Sequence, residues 1–127
     1  MKRPILLGLA LVAVILPVHF LVSEEMSIRI AALTLALIAG AYIGFAAADG
    51  RFSVLMLELV GSTIYAGAAL AGLLWSPVLI PVGIMAHAIW DFLHHNHFFG
   101  ARIPQWYIPL CVAVDVPVGL VLLALYL

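Results

Sequence analysis

The stretch Phe52–Phe98 reads FSVLMLELVGSTIYAGAALAGLLWSPVLIPVGIMAHAIWDFLHHNHF. It contains no Lys or Arg, and only Glu58 and Asp91 as acids. A helix that crosses a bilayer needs about 20 mostly apolar residues, so this stretch is long enough for two crossings. The decision rests on Trp75-Ser76-Pro77. A proline removes a backbone donor and cannot continue a helix. As a true break it separates a span over Phe52–Trp75 from one over Pro77–Phe98. Without it, the two would be broken or re-entrant helices.

The same criterion, applied outward, marks Tyr107–Leu127 on one side and Ser27–Ala48 and Pro4–Val22 on the other. The expected fold is therefore all-α: one domain over residues 1–127, an integral membrane bundle of about five transmembrane helices. The short breaks make consecutive helices antiparallel neighbours. Transmembrane β-strands would alternate with a period of two, which these segments lack. Composition agrees: 67% of residues are hydrophobic, 9% are charged, and mean hydropathy is +1.28. A water-facing surface would need about 25% charge. The opening Met1-Lys2-Arg3 resembles the start of a cleaved leader. However, the apolar run Ile5–Val22 exceeds a leader's usual core of about 7–15 residues, so it is read as the first span.

Charge excludes some partners and orients the chain. A net charge of -1 gives no basic field for nucleic acid. Lys2, Arg3, Arg51 and Arg102 fall on one side of a five-span bundle and Arg29 on the other. The positive-inside rule then predicts N-in, C-out, in the manner of a bacterial inner-membrane protein. One cysteine, Cys111, excludes an internal disulfide framework. Gly40-x3-Gly44 and Ala68-x3-Gly72 are expected to let a neighbouring helix approach closely. Pro17, Pro81 and Pro117 fall inside spans and are expected to kink them.

Ionisable groups inside a span cost about 2.5–3.5 kcal/mol each on insertion scales and are retained for a use. Glu58, Asp91 and Asp115 are three such acids. The fourth span adds His87, His94 and His95. At about 100° per residue, His87, Asp91, His94 and His95 share one helix face, with i, i+4 steps from His87 to Asp91 to His95. Zinc-binding helices use that spacing. Depth counted at about 1.5 Å per residue brings Glu58, Asp91 and Asp115 to one layer in the cytoplasmic half. Ser62 and Tyr65 lie on the face of Glu58, and Cys111 on that of Asp115. Asp49, at the end of the second span, is one further possible ligand. His97 points away, and His19 belongs to the opposite end.

Three acids in one layer without a cation cannot all stay ionised. Protons or a metal ion must neutralise them. Histidine beside carboxylate suits a borderline divalent ion, with Zn²⁺ favoured and Fe²⁺ or Mn²⁺ the other choices. The expected metal ligands are His87, Asp91, His94, His95 and Asp115. Glu58 is the expected general base toward the attacking water, and Ser62 and Tyr65 would contact a substrate.

His87-x3-Asp91-x2-His94-His95, with Trp90 before the aspartate and Cys111-x3-Asp115 in the following helix, resembles a motif of small bacterial multi-pass membrane proteins of unknown function. In that family a histidine, a Trp-Asp pair and a His-His pair share one helix, and Cys and Asp lie on the last. The likeness covers the C-terminal third of the chain. It implies the same site residues and no particular reaction. In chemistry alone the set is similar to intramembrane zinc hydrolases of the alkaline ceramidase type. Those have about seven spans and a motif order not found here.

Three functions follow. The first is a membrane metalloenzyme, a hydrolase acting on a lipidic substrate from the cytoplasmic leaflet. The full set of histidine boxes for oxidative diiron chemistry is missing. The second is a metal-ion or proton transporter or channel component, for which a homo-oligomer could build the pore. The third is an accessory subunit of a membrane complex.

Overall fold

The computed structural model describes residues 2–127, so Met1 lies outside it. Five α-helices follow one another: α1 (Lys2–Leu21), α2 (Glu24–Asp49), α3 (Phe52–Leu74), α4 (Leu79–His94) and α5 (Tyr107–Tyr126). A single 3₁₀ turn over His95–His97 leads out of α4. No strand occurs among the described residues.

The local sequence sets the helix ends. Ser23 caps α2, its hydroxyl accepting the Met26 N–H at 3.3 Å, while Glu24 and Glu25 in the first turn complement the helix dipole. Gly50 ends α2 in the left-handed region at φ 80°, where glycine carries no Cβ penalty, and donates its N–H to Ala46. After Trp75 the chain turns through Ser76-Pro77, and α4 starts at Leu79.

The bounds of α4 correct two expectations. Pro81 falls in the first turn of α4, where no intrahelical donor is needed, so only Pro17 and Pro117 are interior prolines. α4 also stops at His94, well before Phe98: His95 is extended (φ −64°, ψ 136°), and Asn96 (φ 55°) and His97 (φ 59°) follow in the left-handed region. Its 16 residues extend about 24 Å. The other four helices are long and apolar enough to cross a membrane.

The packing alternates in direction. Ser62 of α3 donates to the Ala39 carbonyl of α2 at 2.8 Å. Gly72 lies against Ile80, and Gly61 against the Trp90 ring, which sets α3 antiparallel to α4. Gly119 meets Pro81 and Met85 across the α4–α5 contact, and Gly8 lets α1 run beside α5 at Leu110 and Ala113. The most extensive contacts are α2 on α3, α4 on α5 and α1 on α5. Gly40 and Gly44, by contrast, have no neighbour against them within the chain, so the expected close approach at that pair is not made among the described residues.

Large apolar side chains point outward along the bundle, among them Leu6 and Val14 on α1, Leu37, Ile64, Ile89 and Leu120. Such a surface suits acyl chains rather than water. The alternation gathers Lys2, Arg3, Asp49, Arg51 and Arg102 at one end. Glu24, Glu25 and Arg29 lie at the other.

Candidate metal centre

The buried face of α4 carries Ile80, Ile84, His87, Asp91 and His94, spaced by three or four residues. Its apolar half packs with Leu35, Val118 and Leu122 in one core cluster. Its polar half continues toward the basic end of the bundle. There α2, α3 and α5 contribute Tyr42, Glu58 and Asp115, all buried.

His87, Asp91 and Asp115 form one group. Each offers a ligand atom within 4.8 Å of the others. His87 Nδ1 lies 2.9 Å from Asp115 Oδ2 and 3.7 Å from Asp91 Oδ1. Tyr42 donates its phenol to Asp91 Oδ1. With Asp115 accepting from the Nδ1–H of His87, the Nε2 lone pair is left for another partner. His87 Nε2 and Asp91 Oδ2 are buried with no hydrogen-bond partner among the described residues. Orphaned acceptors in a low-dielectric site are costly, and a metal ion is a partner that imidazole nitrogen and carboxylate oxygen share. The carboxylate that orients a ligating histidine is also present, in Asp115. The donor types therefore suit a metal ion: His87, Asp91 and Asp115 are the residues that could hold one, Asp115 as a ligand itself or as the acceptor that orients His87.

Glu58 and His94 form a second pair. His94 Nδ1 donates to the Trp90 carbonyl at 2.8 Å, and its Nε2 meets Glu58 Oε1 at 2.7 Å. A single proton lies between Nε2 and the carboxyl oxygen. Glu58 Oε1 also accepts the Ala101 N–H at 3.0 Å, while Oε2 has no partner among the described residues. The Tyr42 ring stands between the two pairs, its centroid 5.4 Å from His87 and 4.8 Å from His94.

The segment after α4 folds over this end. Asp49 binds Arg51 through both carboxylate oxygens, at 2.5 and 2.7 Å, and accepts the Arg102 N–H at 3.0 Å. Arg51 in turn donates to the Gly100 carbonyl. Gly100 (φ 69°) passes so close that a Cβ would sit 2.5 Å from Glu58 Oε1 and closer still to His94 Nε2. Only glycine fits both its backbone angle and that approach.

Of the residues selected from sequence, the fold brings His87, Asp91 and Asp115 together. Glu58 lies opposite His94 rather than beside Asp91, because the antiparallel register pairs Gly61 with Trp90. His94 has both ring nitrogens engaged elsewhere. His95 follows the helix end and lines an outer cleft with Ile5 and Phe92. Ser62 and Tyr65 donate their hydroxyls to the carbonyls of Ala39 and Ala86. Asp49 is taken up by Arg51, and Cys111 is a buried free thiol. His19 lies at the opposite end, 2.8 Å from Ser27 Oγ, which bonds Tyr126 at 2.7 Å. Tyr42 joins the site without having been singled out by sequence, although a phenol in the middle of an apolar span is itself a signal.

No protein-family model, curated protein or solved structure matches this chain.

Proposed function

We propose that this protein binds a divalent metal ion, Zn²⁺ in the first place, within the membrane, and uses it to hydrolyse a lipidic substrate. The observation that carries the metal reading is the pair of orphaned buried acceptors, His87 Nε2 and Asp91 Oδ2, beside a histidine already oriented by Asp115. The ion would polarise the scissile carbonyl and favour a nucleophile at neutral pH. Glu58, held on His94 across the Tyr42 ring from the His87 group, would be the acid–base pair, its Oε2 the oxygen left to take a proton from water. The bundle would cross five times with the N-terminus inside. The basic end, and with it the site, then faces the cytoplasmic leaflet. The segment 95–106 must move aside for a substrate to enter.

Complete burial of His87 and Asp91 favours a second reading, an ion carrier seen in its closed state.

Metal content measured by mass spectrometry, on protein purified without a histidine tag, tests the site. Near-stoichiometric metal in the wild type, lost in His87→Ala and Asp91→Asn, is the expected result. A metal-free wild type purified without chelator would sink both metal readings and leave an accessory role. Glu58→Gln then separates the first two. The hydrolase loses about 10²–10⁴-fold of its turnover while keeping its ion. A carrier fills dye-loaded proteoliposomes with metal and hydrolyses nothing.

A further inference from the structure

Between the first turns of α1 and α5 and the end of α4 lies a cleft of about 370 Å³. Ile5, Phe92, His95, Ile108, Val112 and Ala113 line it. That size is within the roughly 300–1,000 Å³ of small-molecule sites. Its walls are apolar except for His95. It is a concave slot where three helices meet.

The mouth of the slot is positively charged. Lys2 stands one turn before Ile5 on the same face of α1, and Arg3 follows it on another face of that turn; both are exposed. α1 and α5 run parallel, so their first turns bring two positive dipole ends and their unused N–H groups to the same level. Neither first turn contains an acid. Asp49, the acid at the rim of this end, is neutralised by Arg51, while Glu58, Asp91 and Asp115 lie buried beneath it. The result is an apolar slot under a net positive rim.

We infer that this cleft is a binding site for an anionic phospholipid, with one acyl chain along Ile5, Ile108 and Val112, the phosphate against Lys2 and His95, and Arg3 adding to the positive field at the same level. A zwitterionic lipid is a poorer fit, because its ammonium group meets the same cations. In the N-in orientation the site opens to the leaflet that carries anionic lipid. None of its lining residues belongs to the His87 group, so the site stands apart from the metal reading.

Native mass spectrometry of delipidated protein in neutral detergent tests this. Phosphatidylglycerol should bind one-to-one, and more tightly than phosphatidylcholine with the same chains. The Lys2→Gln/Arg3→Gln double variant should lose roughly 30-fold, at about fivefold per basic residue. Ile5→Trp, which fills the slot from an exposed position, should lose phosphatidylglycerol with the basic residues intact. Metal content should be unchanged in all of these. Equal affinity for the two lipids, or full affinity in the double variant, would overturn the assignment. So would glycerophosphoglycerol alone binding as well as the lipid, since the slot would then contribute nothing. Because Lys2 and Arg3 are exposed, the charge comparison holds even if Ile5→Trp disturbs folding.

Discussion

Tyr42 holds the candidate metal centre in shape. Its phenol occupies one oxygen of Asp91 and leaves the other unpartnered, and its ring separates His87 from His94. Tyr42→Phe keeps the ring and deletes the donor. Residues that orient a metal ligand are worth about 10–100-fold in metal affinity, so a loss of at least about tenfold is expected in a competition titration with a zinc chelator. Unchanged affinity would show that Asp91 is positioned without the phenol. At this scale much of the site was legible. His87, Asp91 and Asp115 stood out because charge is rare in apolar helices, and the fold gathers all three. Tyr42 did not, because a tyrosine is an ordinary sight near a membrane. The pairing of Glu58 with His94 needed the register of α3 on α4, which no local pattern specifies.

Among the helices, glycine marks where the backbones meet, but only the packing tells which glycines do so. A Cβ on Gly61 would lie 2.8 Å from the Trp90 indole, a rigid neighbour, whereas one on Gly44 would meet nothing within 4 Å. Gly61→Ala should therefore destabilise the bundle by about 1–3 kcal/mol, the usual cost of overpacking. Gly44→Ala should be neutral, or stabilising by up to about 1 kcal/mol through helix propensity. Unfolding in a graded denaturing detergent compares the two; equal stability of both variants would contradict the α3–α4 contact. The spacing of Gly40 and Gly44 pointed to a helix contact that the chain itself does not make. The same spacing at Ala68 and Gly72 is used, with Gly72 against Ile80. The four long helices were readable from hydropathy. The extent of α4 was not, because the polar run His94-His95-Asn96-His97 reads as a continued helix face as well as a helix end, and the backbone leaves the helix at His95.

For the whole molecule, the alternating helices sort the ionic groups by end. Lys2, Arg3, Arg51 and Arg102 gather at the end beneath which the polar cluster lies, and Glu24 and Glu25 at the other. A reporter fused after Leu127 should accordingly be active only on the outer side of the membrane, and an N-terminal one only inside; the reverse pattern would overturn the orientation and move the cluster to the other leaflet. The bundle is also uneven in height. α2 has 26 residues, about 39 Å, and α4 has 16, about 24 Å, against a hydrocarbon core of about 30 Å. If the bundle crosses five times as proposed, lipids beside Ile89, Phe92 and Leu93 would shorten to meet the helix ends, while α2 would lean to keep its own ends in register. Each ångström of such compression costs a fraction of a kcal/mol. In that arrangement the protein would carry an elastic bias toward thin bilayers and a pinched rim on one flank, with lipid headgroups drawn down toward the segment that covers Glu58.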